Sequence, residues 1–341
     1  KVVVNSALMS SYLESLRDET DLSPENARFI FNDDTRQLDL LTPAIIGRTL
    51  DTTKSVEAIN AAINQGGHST SLAFTLTEPA VTDKMTGAQL GITELVYAYT
   101  SYFRGSIPER VQNIITASSR FHGLLVPPGA TLSMSDVLGN ISLDNGYAEA
   151  LIILGDETIK GVGGGVCQVS TTLFRTVYYA GYQIIERHPH AYRVGYYEQT
   201  GNGGHDTRLA GLDAAVFVPL VDFKFANDTS HWLLMETYVN KSNDSLTWKF
   251  YSTSDGRSVE SQTTGLTDIV DAPKPLYREN PELAKGEIRQ IDWAVDGANV
   301  VVTRTVTRSG EVLYVDRIVT NYQPWRDIYE YGPGTELPKE E

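Results

Sequence analysis

Short strand-like and helix-like patterns alternate over the first part of the chain. Residues 28–31 and 38–41 are predicted to be strands, and the turn-forming segment 32–35 joins them. After Asp51, apolar positions recur with the helical period until a pair of glycines ends the pattern. These patterns predict a small α+β domain over residues 1–95.

Two helical patterns and then a series of strands occupy residues 96–240. The segment Ser106-Ile107-Pro108-Glu109 is typical of a capping box that starts the first helix. The second helix follows a run of glycines and stops at Gly181. Strands are predicted after it, at residues 182–186, 191–197, 214–218, 222–226 and 232–239. The pattern predicts a central domain in which a helix packs against an antiparallel sheet.

Turn signals and β-branched residues dominate residues 241–341. Three dipeptides are typical of hairpin turns, namely Asp255-Gly256, Asp296-Gly297 and Ser309-Gly310. Residues 300–308 and 311–320 are rich in β-branched side chains without a clean division into an apolar and a polar face. We predict an elongated β module with little core, and hence a multi-domain α+β chain.

The composition excludes several partners and kinds of site. The chain carries 28 Lys and Arg against 43 Asp and Glu, a net charge of -15. Nucleic acids and anionic membrane surfaces bind clustered basic residues, so neither is predicted as a partner. The longest apolar stretch, residues 216–225, is interrupted by Pro219, Asp222 and Lys224 and is too short to span a bilayer. Cys167 is the single cysteine, which excludes an intramolecular disulfide and a site held by several thiolates.

The clearest chemical signal runs from Gly163 through Cys167 into the second helix of the central domain. Glycines allow positive φ angles and close approach to another part of the chain, and here they lead the cysteine to a helix N-terminus. The free amides and the helix dipole at that end favour a thiolate, as in papain-like and transglutaminase-like enzymes. Cys167 is thus a candidate nucleophile. The alternative is a small, buried packing residue.

A nucleophilic cysteine requires a base, and two histidines follow one strand later. His188 and His190 flank a proline, and the alternation of an extended chain puts both on the same face. Either histidine could pair with Cys167, while Asp213 or Asp222 orients the imidazole. His190 is the first candidate base and His188 the second, with Asp213 as the orienting acid. The alternative is that both are ordinary surface histidines.

A metal site is a further alternative for the same residues. His188 and His190 could join Cys167, His205 or Asp206 as ligands. Two histidines two residues apart do not define such a site by themselves. No metal and no cofactor is therefore predicted.

The segments around the cysteine also supply candidate binding residues. Backbone amides near Gln168 are expected to polarise a substrate carbonyl. The glycines that approach it are Gly163, Gly164 and Gly165. Arg110 and Asn113, one turn apart on the first helix, are added as binding candidates that face the cysteine, although a solvated helix face is the default expectation for them.

Seven segments between residues 108 and 239 resemble the VanW domain of bacterial cell-envelope proteins. The most distinctive are GVGGGVCQVSTTLF at 161–174 and ERHPHAY at 186–192. The others are ERVQNI at 109–114, PPGATLS at 127–133, DNGYAEA at 144–150, LDAAV at 212–216 and DFKFAND at 222–228. The family is named for glycopeptide-resistance clusters, so the resemblance implies an envelope setting but no particular reaction.

Both flanks agree with the architecture of that family. Residues 26–83 resemble the peptidoglycan-binding domain often found before VanW domains, and residues 273–332 are similar to the G-five domain, a β module linked to cell-wall sugars. The resemblance implies an extracellular or cell-envelope protein whose partner is peptidoglycan or a wall polysaccharide. Because the chain starts at Lys1 without an initiator Met, we expect a signal peptide or a single membrane anchor upstream.

Two functional hypotheses follow, and the sequence leaves the question of catalysis open. The first is a wall-binding protein that recognises peptidoglycan or glycan without turnover, which 18 Tyr and 4 Trp would permit. The alternative is a cysteine-dependent acyl-transferase, amidase or peptidase acting on peptidoglycan peptides, with Cys167 as nucleophile. In a transglutaminase-like chain order, the position of Asp213 would hold the histidine, which counts against the alternative.

Overall fold

The computed structural model has an α+β fold in two compact units, Lys1–Leu90 and Gly91–Glu341. It describes residues 2–154 and 157–338. The predicted α+β class is confirmed. No helix in the described part of the chain is both long enough and apolar enough to cross a membrane.

The first unit contains two antiparallel strand pairs and a capped helix. Its elements are α1 (Ser6–Glu14), α2 (Arg17–Thr20), β1 (Arg28–Asn32), β2 (Gln37–Thr42), β3 (Gly47–Leu50), α3 (Thr52–Asn64), β4 (Phe74–Thr77) and α4 (Gly87–Leu90). Strand β1 pairs with β2 across the predicted turn, and β3 pairs with β4. The Asp51 carboxylate caps α3, as predicted, by accepting the Lys54 backbone N–H at 3.0 Å. Leu13, Leu50 and Val56 form a small core.

The second unit contains the remaining helices and strands. They are β5 (Glu94–Tyr102), α5 (Pro108–Ser119), β6 (Leu124–Val126), β7 (Thr131–Ser133), α6 (Met134–Leu138), β8 (Glu149–Leu154), β9 (Glu157–Val162), α7 (Val166–Ala180), β10 (Gln183–Glu186), β11 (Lys224–Ala226), β12 (Leu233–Asn240), β13 (Ser245–Ser252), β14 (Arg257–Thr263), β15 (Thr267–Val270), β16 (Leu276–Glu279), β17 (Ile288–Asp292), β18 (Gly297–Arg308), β19 (Glu311–Tyr322) and β20 (Ile328–Tyr331).

Helix α7 lies against a four-stranded sheet. Strands β5, β13, β12 and β6 form this antiparallel sheet in that order, and β10, β11 and β7 form a smaller one. In the C-terminal segment β18 pairs with β19 along nearly its whole length and also with β14 and β15. Strands β16, β20 and β17 form a separate small sheet, and β8 pairs with β9. The predicted helix on an antiparallel sheet is therefore present.

Helix α7, strand β13 and the C-terminal strand β18 share one hydrophobic core. Leu173 and Val177 of α7 are fully buried, and so is Trp248 of β13. Val300 and Val302 of β18 belong to the same cluster. Alternate residues of a strand point to the same side, so one face of β18 packs into this core while the other does not. The predicted long hairpin is confirmed, but the expectation that it has little core is wrong for β18.

Residues 191–197 and 214–218 are not strands, in contrast to the prediction. The first segment contains a 3₁₀ turn. The second is packed against α7, where the Ala214 carbonyl accepts the Ser170 hydroxyl at 2.5 Å and the Ala214 N–H donates to Thr171 Oγ1 at 3.1 Å. Side-chain hydroxyls of the helix thus satisfy backbone groups that a strand ladder would otherwise pair.

Of the three predicted hairpin turns, Ser309-Gly310 joins strands that pair with each other. Asp255-Gly256 lies between β13 and β14, but β14 pairs with β18. Asp296-Gly297 leads from β17 into β18, whose first residue is Gly297, but β17 pairs with β20. These two hairpin predictions are wrong because a turn dipeptide reverses the chain locally without specifying the partner strand.

The predicted boundary at residue 240 falls between paired strands. Strands β12 and β13 form an antiparallel pair that begins with Asn240 opposite Ser245. The division into residues 1–95, 96–240 and 241–341 stays a prediction.

A pair of valine substitutions tests whether the C-terminal hairpin is part of the central core. Val302→Ala removes a fully buried side chain of β18 and should lower the free energy of unfolding by about 2 kcal/mol. Val312→Ala, on the exposed face of β19, should change it by less than about 0.5 kcal/mol. Urea unfolding followed by tryptophan fluorescence measures both. Equal effects of the two substitutions would show that the hairpin folds apart from the core.

Candidate functional site

Helix α7 begins where the glycine run passes between α5 and β8. A Cβ added to Gly165, whose φ is +115°, would lie 2.8 Å from the carbonyl oxygen of Arg110, and one on Gly164 would lie 2.4 Å from that of Leu151. Larger residues at either position would force the helix entry outwards. This close packing of the glycine run places Cys167 at the second residue of a 15-residue helix.

Asn113 fixes the same glycine loop from the side of α5. Its side-chain amide donates to the carbonyls of Ala148, at 2.9 Å, and Gly164, at 2.8 Å. Its amide oxygen accepts the Ala148 N–H at 2.7 Å. Asn113 is fully buried, so the default expectation of a solvated face is wrong for it. In this geometry the side chain supports the loop and is not open to a ligand.

Cys167 is half-buried and has two polar neighbours. Its thiol donates towards the Val216 carbonyl oxygen at 3.5 Å. Burial raises the pKa of the thiol, but the hydrogen bond and charge of His190 outweigh burial, with smaller contributions from Val216 and Arg110. The pKa of Cys167 therefore lies below its usual value, which favours the thiolate.

His190 is buried beside the cysteine and is held by one carboxylate. Its Nδ1 lies 2.6 Å from Asp213 Oδ2, and its backbone N–H donates to the same oxygen at 2.7 Å. A carboxylate only accepts, so Nδ1 carries a proton, and Nε2 remains for the thiol of Cys167 and for the Tyr197 hydroxyl at 3.3 Å. Burial lowers the pKa of His190, but hydrogen bonds to Asp213 and Cys167 raise it to about 9. The imidazole is thus held as imidazolium at neutral pH.

Asp213 is buried with a full set of donors. Besides the two bonds from His190, Asp213 Oδ1 accepts the Tyr322 hydroxyl at 2.6 Å and the Arg187 guanidinium at 3.1 Å. Arg187 also donates to the backbone carbonyl of Asp213 at 2.6 Å. Burial raises the pKa of Asp213, but these bonds and charges hold it well below its usual range. Asp213 is therefore a fixed anion that orients His190.

His188 does not share the position of His190. It is exposed, and its Nε2 lies 3.0 Å from the Glu186 carboxylate. Strand β10 ends at Glu186, so the two-residue alternation that predicted a common face does not continue to the histidines. Asp222, the other acid considered, bonds Ser133 Oγ and the Ser135 N–H at the start of α6. Neither residue is part of the cysteine site.

The described residues contain no cluster of three or more His, Cys, Asp or Glu side chains that could hold a metal ion. Asp206 instead pairs with Arg208 at 2.8 Å. The backbone of His205 forms an isolated bridge with Gln199. Of the residues considered as a mixed metal site, Cys167 and His190 come together, whereas His188, His205 and Asp206 are engaged elsewhere.

Arg110 reaches the cysteine site from α5. Ser106 is not the cap of this helix, because Ile107 occupies that position without a side-chain bond, so the predicted capping box is wrong. The Ser106 hydroxyl instead donates to the Phe103 carbonyl and accepts Arg110 Nη1 at 2.6 Å. Ser106 therefore orients the guanidinium rather than the helix end.

Gln168 turns its side chain into the protein. Its Oε1 accepts Arg110 Nη2 at 3.0 Å, and its Nε2 donates to Ser101 Oγ at 2.8 Å. The guanidinium of Arg110 also lies 4.2 Å from the ring centroid of Tyr196. The side chain of Gln168 thus joins Arg110 to the start of α7, while its backbone N–H bonds the Gly165 carbonyl at 3.0 Å.

The supporting residues of this site were missed by sequence reasoning. Arg187 lies next to the histidines in the ERHPH segment, so its charge was a signal that could have been used. Tyr322 is separated from Asp213 by 109 residues and carries no local signal. Tyr197 fell in a segment predicted as a strand, whose side chains could not be assigned to the site.

Comparisons with known proteins agree with this architecture. Residues 109–251 match the family "VanW like protein", and residues 1–71 match the "Putative peptidoglycan binding domain" family. These matches define a cell-wall-associated protein of α+β fold. Residues 109–251 are thus similar to the VanW domain, as the sequence resemblance predicted, and the match extends beyond residue 239 to include all but the end of β13.

Two curated relatives cover the VanW domain. The chain is 35% identical over 143 residues to YoaR of Bacillus subtilis, which is 42% of this chain and 44% of YoaR. It is 28% identical over 120 residues to the vancomycin B-type resistance protein VanW of Enterococcus faecalis, 35% of this chain and 42% of that protein. The chain thus matches less than half the length of either relative.

Solved G5 domains also match part of the chain. The G5 domain of an IgA1 protease is 23% identical and covers 22% of this chain and 86% of that domain, with a TM-score of 0.14. The HP0197 G5 domain is 18% identical and covers 22% of this chain and 97% of that domain, with a TM-score of 0.12. At these TM-scores the likeness adds nothing to the description of the C-terminal strands, and the G-five resemblance stays a prediction.

An asparagine substitution tests the charge pairing of Asp213. The pKa of His190 is raised from 6.5 to about 9, so its stabilising effect is complete below pH 6.5 and is lost as the pH rises through about 9. The lowered pKa of Asp213 makes its effect complete above pH 3.8 and lost as the pH falls. Asp213→Asn should therefore cost about 3 kcal/mol of unfolding free energy between these limits and less at higher pH.

Urea unfolding at a series of pH values measures this difference. Asp206→Asn is the matched control, because Asp206 pairs with an exposed arginine and should contribute less than about 1 kcal/mol, without change between pH 6.5 and 9. A cost of Asp213→Asn that does not vary between pH 6.5 and 9 would contradict the Asp213–His190 ion pair.

Proposed function

We propose that this protein is a cysteine-dependent acyl-transfer enzyme that acts on peptide amides of bacterial peptidoglycan. The observation that carries the proposal is the 2.6 Å bond between buried Asp213 and His190, whose imidazole lowers the pKa of Cys167. A packing cysteine requires no buried imidazolium beside it, and burying one is costly. This arrangement favours the enzyme hypothesis over binding without turnover.

The reaction begins with attack of the Cys167 thiolate on an amide carbonyl carbon. The carbonyl oxygen becomes an oxyanion, which accepts the backbone N–H of Cys167, since the N–H groups of Val166 and Gln168 already bond the carbonyls of Gly163 and Gly165. His190 then donates its Nε2 proton to the amide nitrogen as the C–N bond breaks. The amine leaves, and the acyl group remains on Cys167 as a thioester.

The second half of the reaction returns the enzyme to its starting state. An amine or a water molecule attacks the thioester carbonyl while His190 Nε2 takes its proton. The C–S bond breaks, Cys167 leaves as a thiolate, and the acyl group passes to the acceptor. An amine acceptor makes the reaction a transpeptidation and water makes it a hydrolysis. Asp213 keeps its charge throughout and holds Nδ1 protonated.

Peptidoglycan as the substrate is supported by the family assignments. The match of residues 1–71 to a peptidoglycan-binding family favours retention on the wall. The same match is what favours the second candidate function, a wall-binding protein without turnover. The two candidates differ only in what the cysteine site does once the wall is bound.

The ionisation of Cys167 separates the enzyme from the binder. Alkylation of the wild-type protein by iodoacetamide should titrate with an apparent pKa below that of an ordinary free cysteine, because His190 lowers the pKa of Cys167. His190→Ala should move that pKa upwards, because the imidazolium no longer stabilises the thiolate. His188→Ala is the matched control and should leave the profile unchanged, since His188 is exposed and pairs with Glu186.

The alkylation of Cys167 also has an outcome that would contradict the enzyme proposal. If Cys167 is alkylated only after the protein is unfolded, the enzyme proposal fails and the cysteine is a packing residue.

Turnover is tested with purified peptidoglycan. The full chain should change the stem-peptide composition of sacculi or soluble muropeptides, as measured by liquid chromatography and mass spectrometry. Cys167→Ala should abolish the change, because the acyl group has no sulfur to bind. Intact-protein mass spectrometry should detect an acyl adduct on wild type and none on Cys167→Ala. Identical products with both proteins would contradict the proposal.

A further inference from the structure

Arg110 is a half-buried cation beside the cysteine that has no carboxylate partner among the residues described. Its hydrogen-bond acceptors are the Ser106 hydroxyl and the Gln168 amide oxygen, both uncharged. The aromatic ring of Tyr196 covers one face of the guanidinium at 4.2 Å. Burial lowers the pKa of Arg110, and the charges of Tyr197, Tyr196 and Cys167 act against that lowering. Its guanidinium is therefore oriented by neutral acceptors, and no described carboxylate pairs with it.

Other buried arginines of this unit are satisfied differently. Arg187 bonds the Asp213 carboxylate, and Arg304 bonds the Asp316 carboxylate. Arg175 donates to backbone carbonyls of three residues and is covered on all sides. Arg110 has only two acceptors for its five N–H groups and remains partly open to solvent. It is thus the arginine of this set with donors left for a ligand.

The position of Arg110 links it to the attacked carbonyl. Gln168, which accepts its Nη2, directly follows Cys167 at the start of α7. A guanidinium with free donors binds a carboxylate through two parallel hydrogen bonds and fixes its orientation. The net charge of -15 repels anionic ligands elsewhere on the chain, so a half-buried cation beside Cys167 has a large effect on which substrate is accepted.

We infer that Arg110 binds a carboxylate of the substrate close to the amide that Cys167 attacks. The substrate class is then a peptide whose scissile amide lies next to a free carboxylate, on the terminal residue or on a side chain. The inference rests on the proposed function, since it assigns substrate selection to the same site. Arg110 also stabilises the thiolate by its charge, so the test must separate recognition from ionisation.

Two alkylating reagents make this separation. Iodoacetate transfers a carboxymethyl group and iodoacetamide a carboxamidomethyl group to sulfur, each by forming an S–CH2 bond with loss of iodide, so the reagents differ in carrying a carboxylate or a neutral amide. The ratio of the iodoacetate rate to the iodoacetamide rate on Cys167 does not depend on the thiolate fraction, because both reagents react with the same thiolate. Wild type should show a ratio about tenfold higher than the unfolded chain, where the same cysteine is free of Arg110.

Variants of the full chain test whether the higher rate ratio of folded wild type is due to Arg110. Arg110→Gln should lower the ratio about tenfold, and Arg110→Lys should keep part of the excess as a point charge without the fork geometry. Arg104→Gln is the matched control, because Arg104 also lies over a tyrosine ring, at 4.5 Å, but donates to the carbonyls of Thr200 and Gly201. The control should keep the wild-type ratio.

A competition measurement on wild type keeps the test decisive if Arg110→Gln does not fold. N-acetylalanine, which has a carboxylate, should slow alkylation by iodoacetamide, and N-acetylalaninamide at the same concentration should not. Equal protection by both compounds, or a ratio of iodoacetate rate to iodoacetamide rate that is unchanged in Arg110→Gln, would overturn the role of Arg110. If iodoacetamide still labels folded wild type fast, the enzyme proposal stands. Slow labelling of folded wild type by both reagents would instead remove the proposed function, and with it this inference.

Discussion

The buried carboxylate of Asp213 is the charge around which the site is organised. Removing a carboxylate from water is costly, and Asp213 recovers that cost through donors from His190, Arg187 and Tyr322. The donors fix its orientation, and the carboxylate in turn fixes the tautomer and the direction of the His190 ring. The ionisation of Cys167 depends on that ring. Loss of the carboxylate would leave two cations, His190 and Arg187, without their anion.

The hydrogen bonds that hold Asp213 come from distant parts of the unit Gly91–Glu341. Tyr322 belongs to β19, yet its hydroxyl completes the hydrogen bonding of Asp213 and accepts the Gly211 N–H at 2.9 Å. Thr320 of the same strand accepts Arg187 at 3.0 Å. A fragment restricted to the central segment would lack these bonds and the core residues of β13 and β18. The C-terminal hairpin is therefore part of the site's support.

Local signals in the sequence were sufficient for the start of α7. A glycine run, a cysteine and an amphipathic helix ending at Gly181 are short-range features, and the structure has them as predicted. Cys167, His190 and Asp213 were chosen from residue type and chain order, and the structure brings these three together. Their catalytic role stays a prediction.

The features that sequence reasoning missed depend on contacts between distant segments. The alternation rule grouped His188 with His190, but it holds only inside a strand, and β10 ends before both. Asp255-Gly256 signalled a turn without its strand partners, because β14 pairs with β18, which comes four strands later in the chain. Tyr322 could not be linked to Asp213 without the fold. Arg110 was named as a candidate, but its neutral acceptors are visible only in three dimensions.

The central claim is that His190, held by Asp213, lowers the pKa of Cys167 and so favours its thiolate. Because the chain has one cysteine, the ultraviolet difference absorbance between wild type and Cys167→Ser reports the thiolate of this residue alone. The account predicts that the thiolate signal of wild type appears at a lower pH than the thiolate signal of His190→Ala, because the imidazolium no longer lowers the pKa of Cys167 in the variant. A signal that appears only above about pH 8.5, with the same midpoint in wild type and His190→Ala, would contradict it.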